Sequence, residues 1–130
     1  IGLSEALNYI NKLGLNNIKK YETELTEYLF DKLLLIKDLK IIGPNPSQDS
    51  KRASLASFFI KNIHSNDIAE ILDSKGICIR SGHHCCQPLH TYLNINSTAR
   101  VSMNFTTTKN DIDIFIEKLK ETLKFLYINS

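Results

Sequence analysis

Residues 80–90 read Arg-Ser-Gly-His-His-Cys-Cys-Gln-Pro-Leu-His and place two thiols, three imidazoles and one guanidinium in a single short segment. A thiolate is a strong nucleophile toward soft atoms such as sulfur, and nearby positive charge favours the thiolate over the thiol. Cys85 directly follows His83 and His84, so it is the first candidate for a nucleophile. The segment predicts a thiol-based reaction centre.

A metal site is a competing interpretation of the same segment. Structural zinc sites pair their ligands two to four residues apart in separate knuckles, whereas the side chains of adjacent residues diverge. We therefore expect no metal site here. The residues that this interpretation would require are Cys78, His83, His84, Cys85, Cys86 and His90.

Hydrophobic spacing predicts long helices at both ends of the chain. The first covers residues 1–14 and ends at Gly14, and a second runs over about 17–36. A final helix begins at Thr108, which forms a capping-box pattern with Asp111. The apolar stripes of these helices are Leu3, Leu7, Ile10 and Leu13; Ile18, Tyr21, Leu25, Leu29 and Leu33; and Ile112, Phe115, Ile116, Leu119, Leu123 and Leu126.

Shorter elements fill the middle of the chain. Ser65 is the expected N-cap of a helix that ends near residues 75–76, and Pro88 suits the first turn of a short helix over 88–92 because it has no amide hydrogen. Residues 45–52 are polar, contain proline and predict a loop, which is the best candidate for a minor boundary. The predicted strands cover residues 39–42, 54–60, 77–80 and 99–105.

This order of elements predicts an α+β fold, in which a small, mostly antiparallel sheet has helices on one face. The strand over 54–60 is apolar on both faces, as expected for a central strand. The strand over 77–80 leads directly into the reactive segment. The sheet is therefore expected to position the thiols.

Charge and composition argue against several classes of function. The net charge is only +2 and basic residues are interspersed with acidic ones, so we expect no nucleic-acid binding. No apolar run approaches the ~18 residues that a membrane span requires, so we expect a soluble protein without membrane association. Three cysteines, two of them adjacent, make a poor disulfide framework and favour a reducing compartment.

Residues 77–90, together with Ser-Thr-Ala-Arg-Val-Ser at 97–102, closely resemble the Suf-type (group II) cysteine desulfurases of the class V aminotransferase-like family. Similar segments at 1–14 and 21–28 extend the resemblance over essentially the whole chain. The resemblance implies the C-terminal, small domain of a fold-type I enzyme that uses pyridoxal 5'-phosphate (PLP). Residues 1–36 would be its linking helices.

The resemblance also implies roles for individual residues. Cys85 is the implied sulfur acceptor, whose thiolate attacks the substrate sulfur and becomes a persulfide while alanine leaves. Arg100 is implied to hold the substrate carboxylate, and Arg80 is either a further carboxylate or phosphate contact or a scaffold partner. One histidine of the loop would hold it in place and the other would tune the thiol. The residues of this supporting loop are Gly82, His83 and His84.

The cofactor itself must be held by another part of such an enzyme. In the family that this chain resembles, PLP is bound to a lysine that directly follows a histidine, and none of the four histidines here is followed by lysine. The resemblance therefore implies that residues 1–130 are the C-terminal domain and that the large PLP-binding domain is absent from this chain. The alternative is a non-catalytic protein-interaction domain that lacks the PLP domain.

The implied substrate is L-cysteine, and the implied protein partner is a Suf-type sulfur-acceptor protein that feeds iron–sulfur cluster assembly. The complete enzyme is expected to be a homodimer in a reducing compartment, either a bacterial-type cytoplasm or a plastid-like organelle. The short Gly-His-His-Cys loop favours group II, whereas Phe-Thr-Thr at residues 105–107 resembles the group I ending.

The remaining cysteines and histidines have structural interpretations. Cys78 lies between two isoleucines in a predicted strand, where it would be a small buried hydrophobe. Cys86 stands where the family usually has alanine and would mainly fill that space, but it could also compete for sulfur or form a vicinal disulfide with Cys85. His64 and His90 are expected to face solvent.

Overall fold

One four-stranded antiparallel sheet organises the residues that the computed structural model describes, 1–46 and 52–128. The predicted loop over 45–52 lies mostly outside the described residues. The elements in chain order are α1 (Gly2–Leu13), α2 (Leu15–Leu34), β1 (Leu39–Ile42), β2 (Leu55–Ile60), α3 (Ser65–Ser74), β3 (Arg80–Gly82), α4 (Gln87–Tyr92), β4 (Thr98–Ser102) and α5 (Lys109–Ile128).

The strand order is β1-β2-β4-β3, and each neighbouring pair is antiparallel. Burial alternates along β2, where Ala56, Phe58 and Ile60 are buried and the residues between them are half-buried. Because successive side chains of a strand point to opposite faces, the sheet has two distinct faces. These observations confirm the predicted α+β fold and the central place of β2.

Three helices cover the face to which Phe58 points. Leu29 of α2, Leu72 of α3 and Leu119 of α5 are fully buried there and belong to one hydrophobic core with Phe58. Burying each such side chain stabilises the fold by roughly 1.5–3 kcal/mol. Helices α2, α3 and α5 therefore cover one face of the sheet, as predicted, and we call the opposite face the open face.

The N-terminus of α5 is fixed by the capping box that the sequence predicts. Asp111 Oδ2 accepts hydrogen bonds from the backbone N–H and the hydroxyl of Thr108, both at 2.8 Å. Thr108 Oγ1 in turn accepts the backbone N–H of Asp111 at 3.2 Å. These bonds lower the pKa of the Asp111 carboxyl, the backbone hydrogen bond having the largest effect. The shorter side chain of aspartate thus replaces the usual glutamate.

The strand predicted over 77–80 is wrong at its start, because β3 begins only at Arg80. The backbone N–H of Ile77 instead donates to Leu72 O at 2.9 Å, where it satisfies a carbonyl at the end of α3. Gly76, with φ of 78°, provides the left-handed residue that this helix end requires. The capping of α3 therefore removes residue 77 from the sheet.

Two other predicted boundaries also differ from the structure. Strand β4 ends at Ser102 and not at 105, because Asn104 starts a turn in which its Oδ1 accepts the backbone N–H of Thr106 at 2.8 Å. The N-cap of α3 is His64, whose Nδ1 accepts the backbone N–H of Asn66 at 3.2 Å. The hydroxyl of Ser65, the predicted cap, instead bonds Ser97 Oγ at 2.7 Å.

Helix α1 is confirmed as a helix that ends at Gly14, but none of its residues is buried. Leu3 and Leu7 of its apolar stripe are 75% and 52% exposed. Its main neighbour is α2. Of the described helices, none has both the length and the apolar content that crossing a membrane requires.

Candidate active site

The reactive segment forms a tight turn between β3 and α4. Its closing hydrogen bond runs from the backbone N–H of Cys86 to His83 O at 2.9 Å. The two central residues, His84 and Cys85, have φ of 53° and 61°, which lie in the left-handed region. Non-glycine residues in this region cost on the order of 1–3 kcal/mol each and persist only where the surrounding structure enforces them. Gly82, with φ of 113°, enters the turn in a conformation that glycine adopts freely.

Cys85 lies at the tip of this turn with an exposed thiol. Its Sγ is 4.0 Å from Nη2 of Arg80, which is the first residue of β3. The thiol and the guanidinium are therefore direct neighbours. The structure therefore places the predicted nucleophile beside one of the two predicted arginines.

Arg80 and Arg100 are paired directly across β3 and β4. Like charges opposite each other in a sheet destabilise it. Arg100 is half-buried, and its Nε is buried without a hydrogen-bond partner among the described residues. Two arginines at one register position, one of them with an unsatisfied donor, fit an anion, above all a carboxylate, which can accept two parallel hydrogen bonds. The register brings both predicted substrate-binding residues to one place.

His84 holds the turn onto the sheet. Its Nε2 lies 3.0 Å from Thr98 O in β4, so this nitrogen donates a proton to the carbonyl. Burial lowers the pKa of His84, the backbone hydrogen bond opposes this, and the charges of Arg100 and Arg80 lower it further. His84 is thus neutral near pH 7, and its Nδ1 is a buried acceptor without a partner among the described residues. The exposed His83 instead packs edge-on against His90, with ring centroids 5.3 Å apart.

His90 is buried, so the prediction that it faces solvent is wrong; His64 is exposed as expected. His90 Nδ1 donates to Cys86 O at 2.9 Å, and its Nε2 lies 3.1 Å from Thr98 Oγ1. Sequence reasoning missed this residue because its environment depends on how α4 packs on β4. The only signal was its spacing of four residues after Cys86, which suits a side chain that bonds the carbonyl at the start of a short helix.

Cys78 is exposed, contrary to the predicted buried hydrophobe. Its neighbours Ile77 and Ile79 pack against the core, so the side chain between them points outward. Its Sγ lies 3.4 Å from Oδ1 of Asp73, and this hydrogen bond and charge raise the pKa of the thiol. Cys78 is therefore less thiolate-like than an unperturbed cysteine and lies outside the reactive turn.

A cavity of about 310 Å³ lies between α4 and the open face of the sheet. Its walls include Leu55 of β2, Leu89 of α4, and His84 and Cys86 of the turn. Lysine is absent from its lining residues as far as the structure describes them. PLP is attached through a lysine amine, and a guanidinium cannot replace that amine. The residues of this site therefore do not fit the attachment of PLP.

The competing metal interpretation concerns the imidazoles and thiols of the turn. Residues 1–46 and 52–128 contain no cluster of three or more His, Cys, Asp or Glu side chains arranged to hold a metal ion.

Comparisons with known proteins assign the chain to a family. The aminotransferase class-V family model matches residues 1–115. A probable cysteine desulfurase from Synechocystis sp. is 46% identical over 125 residues, which are 96% of this chain and 30% of the relative. One from Staphylococcus epidermidis is 43% identical with the same coverage. The chain thus spans about 30% of the length of these curated relatives.

Solved structures agree with this assignment. The apo structure of the cysteine desulfurase from Thermococcus onnurineus NA1 superposes with a TM-score of 0.86 at 32% identity, covering 95% of this chain and 30% of that one. The cysteine desulfurase CsdA from Escherichia coli, in its S-sulfonic acid form, gives 0.84 at 26% identity, with the same coverage of 95% and 30%. The small α+β fold and the sequence together show that this chain belongs to the aminotransferase class-V family.

Proposed function

We propose that this chain is the sulfur-accepting part of a PLP-dependent cysteine desulfurase, in which Cys85 takes the sulfur of L-cysteine. One observation supports this above all: an exposed thiol at the tip of a strained turn lies 4.0 Å from Arg80, which itself faces Arg100 across the sheet. A nucleophile and a carboxylate site are thereby adjacent. Free cysteine offers both a carboxylate and a soft sulfur atom to them.

Arg100 is the proposed main contact of the substrate carboxylate. Its planar guanidinium is half-buried and has an unsatisfied Nε, so a carboxylate would complete its hydrogen bonding and relieve its repulsion with Arg80. Holding the substrate by one end fixes where its sulfur lies, which turns an encounter with Cys85 into a positioned step. Arg80 is proposed as the second cation of this site and as the neighbour of the thiolate.

Cys85 is the proposed sulfur acceptor. Its thiolate forms a bond to the substrate sulfur as the bond from that sulfur to Cβ breaks, and the carbon fragment takes up a proton and leaves as alanine. Cys85 is left as a persulfide. PLP is proposed as the cofactor of the complete protein, but the site residues of this chain do not fit its attachment. Their assigned roles are limited to binding the carboxylate and accepting the sulfur.

We infer that residues 1–130 form the C-terminal, small domain of the complete enzyme, with linking helices within 1–36 and a large PLP-binding domain outside this chain. The chain covers only 30% of its curated relatives, which supports this division. Helix α1 also leaves its apolar stripe exposed, with Leu3 75% accessible. Both observations fit a domain that packs against a larger one.

We also propose the Suf-type, group II subclass. The turn between Gly82 and Gln87 is short and tied to β4 through His84, which suits the short loop of that subclass and not a long mobile one. A Suf-type acceptor protein would then take the persulfide sulfur for iron–sulfur cluster assembly. We propose a homodimeric complete enzyme in a reducing compartment, a bacterial-type cytoplasm or a plastid-like organelle, which agrees with three free cysteines.

The test is turnover by the full-length gene product with PLP and L-cysteine. We expect release of alanine together with a persulfide on the tryptic peptide 81–100. Residues 1–130 alone should bind PLP weakly at most and release no alanine. Stoichiometric PLP binding with turnover by residues 1–130 would contradict the proposed division. A full-length protein without PLP binding or persulfide would instead support the alternative, a non-catalytic protein-interaction domain.

A further inference from the structure

Two exposed thiols stand side by side in the turn, but the proposed sulfur transfer uses only one of them. Cys85 and Cys86 are both free and exposed. Cys86 is the last residue of the turn and lines the cavity next to Leu89 and Leu55, whereas Cys85 lies beside Arg80. The hydrogen bond that joins Cys86 to His90 uses the backbone carbonyl of Cys86 and not its thiol. Its thiol is therefore available for a reaction of its own.

We propose that Cys85 and Cys86 form a reversible redox site, at which a peroxide converts the two thiols into a vicinal disulfide. The Cys85 thiolate attacks the peroxide, breaks its O–O bond and becomes a sulfenic acid, while the second oxygen leaves as water or an alcohol. The Cys86 thiol then attacks the sulfenic sulfur, the S–O bond breaks and water leaves. The overall reaction oxidises two thiols to one disulfide and reduces one peroxide.

The position of the two residues favours this reaction over slower, irreversible oxidation. Oxidation by peroxides follows exposure, and the thiol of Cys85 is exposed at the tip of the turn, 4.0 Å from the Arg80 guanidinium. The resolving thiol belongs to the next residue, so its attack on the sulfenic acid is intramolecular and competes with a second peroxide. Cys78 offers a contrast within the same chain, because Asp73 raises the pKa of its thiol and no other cysteine is adjacent to it.

The geometry of neighbouring residues also makes the bond easy to reduce again. Consecutive Cα atoms are about 3.8 Å apart across a trans peptide, whereas disulfides usually join Cα atoms roughly 4.4–6.8 Å apart. A vicinal disulfide is strained for this reason, and strained disulfides have more oxidising potentials. Cellular thiols would therefore restore both cysteines. The site is one of reversible modification and not a structural cross-link.

The consequence for catalysis rests on the proposed function. If Cys85 accepts sulfur, the disulfide blocks sulfur transfer until it is reduced, and it prevents the further oxidation of Cys85 to sulfinic and sulfonic acids, which thiols do not reverse. The existence of the disulfide does not depend on the reaction that the protein catalyses. An experiment can therefore refute the disulfide without refuting the sulfur transfer, and the reverse.

The experiment treats the reduced full-length protein with hydrogen peroxide in slight excess, followed by trypsin and mass spectrometry. Residues 81–100 form one tryptic peptide that contains Cys85 and Cys86, while Cys78 falls in peptide 76–80. We expect peptide 81–100 to lose two hydrogens and to regain them with dithiothreitol. A peptide 81–100 that instead gains two or three oxygens on Cys85 while Cys86 stays alkylatable would overturn the proposal.

Two variants complete the test. Cys78→Ser should form the same disulfide, whereas Cys86→Ala should accumulate sulfinic and sulfonic acid on Cys85. In the wild type, peroxide should lower alanine release at least roughly tenfold and dithiothreitol should restore it, while the loss in Cys86→Ala should be permanent. Equal recovery of alanine release in the wild type and in Cys86→Ala would contradict a protective role for Cys86. Disulfide formation in a protein that never releases alanine would leave the redox site standing and refute only the proposed function.

A second measurement tests directly whether the two sulfur atoms can converge. Phenylarsine oxide condenses with two thiols, forms two As–S bonds and releases water. The reduced wild type and Cys78→Ser should each bind one equivalent on peptide 81–100 that resists competition by a monothiol, and Cys86→Ala should not. Absence of this adduct in a folded wild type would mean that the thiols diverge, and it would count against the proposal.

Discussion

The two faces of the sheet differ in how completely this chain satisfies its own residues. On the helix-covered face, Phe58 and Leu119 are fully buried in one apolar core. On the open face, Arg80 stands opposite Arg100, and the adjoining turn contains two strained residues. Unsatisfied and strained groups lower stability, and they persist where function requires them. The comparison predicts that substitutions on the helix-covered face change stability, and that substitutions on the open face and in the turn change activity.

The largest effect is expected for Cys85→Ala. Loss of the only attacking sulfur should lower alanine release and persulfide formation by roughly a thousandfold or more, as removal of a nucleophile does in other enzymes. The thermal midpoint should stay near that of the wild type, because the thiol is exposed. Cys86→Ala is the matched control and should remain active. Mass spectrometry that finds the transferred sulfur on Cys86 in the wild type would contradict this assignment.

Leu119→Ala should lower stability and leave the activity of the folded protein unchanged, the reverse of Cys85→Ala. Leu119 is fully buried in α5, so truncation leaves a cavity and should lower the free energy of unfolding by about 2–5 kcal/mol. Urea denaturation of the full-length protein measures this change. The activity per folded molecule should stay close to that of the wild type. Leu35→Ala, at a position that is 77% exposed, is the control and should change neither quantity appreciably.

Arg100→Ala should lower activity without lowering stability, which is the behaviour expected of the open face. Loss of a charge-assisted, bidentate contact worth roughly 1.5–3 kcal/mol should lower kcat/KM for cysteine on the order of tenfold to a hundredfold. The thermal midpoint should not fall and is expected to rise, since Arg80 no longer faces a like charge. Arg100→Lys keeps the charge but loses the planar fork, so it should remain impaired. Normal turnover in Arg100→Ala together with loss in Arg80→Ala would move the carboxylate contact to Arg80.

The smallest effect is expected from pH acting on His84. Burial is the main cause that holds the pKa of folded His84 below the ordinary value of 6.5, so the unfolded chain binds the extra proton first as pH falls. The stability of the turn should therefore decrease as pH drops below 6.5 toward the folded value. Amide hydrogen exchange at residues 83–86 measures this decrease. Asparagine tolerates positive φ and does not titrate, so the stability of the turn in His84→Asn should not depend on pH in this range. If the pH dependence is unchanged in this variant, another group causes it.

The sequence predicted what depends on local patterns. Helical spacing identified the stripes of α2 and α5, in which Leu29 and Leu119 are buried, and Thr108 with Asp111 correctly predicted a cap. The clustering of thiols and imidazoles also identified the turn around Cys85. These features follow from residues close together in the chain, where propensity and spacing determine the outcome.

The wrong predictions from the sequence concern features that depend on tertiary packing. His90 was expected to face solvent and Cys78 to be buried, yet the structure reverses both. Burial of a polar side chain depends on which element packs over it, and His90 is buried because Thr98 of β4 lies opposite. The register that brings Arg80 to Arg100 is also a tertiary property. Pairing between strands separated by a helix cannot be derived from the spacing of residues within either strand.

Strand β3 joins the turn to the sheet through only three residue pairs, Arg80 to Gly82 against Thr98 to Arg100, and it lies at the sheet edge. Elements with few partners open locally at a lower free energy than the whole domain unfolds. The nucleophile is therefore attached to the strand that has the fewest paired residues in this sheet. Fraying of this edge would therefore move the already exposed Cys85 relative to Arg100 without global unfolding.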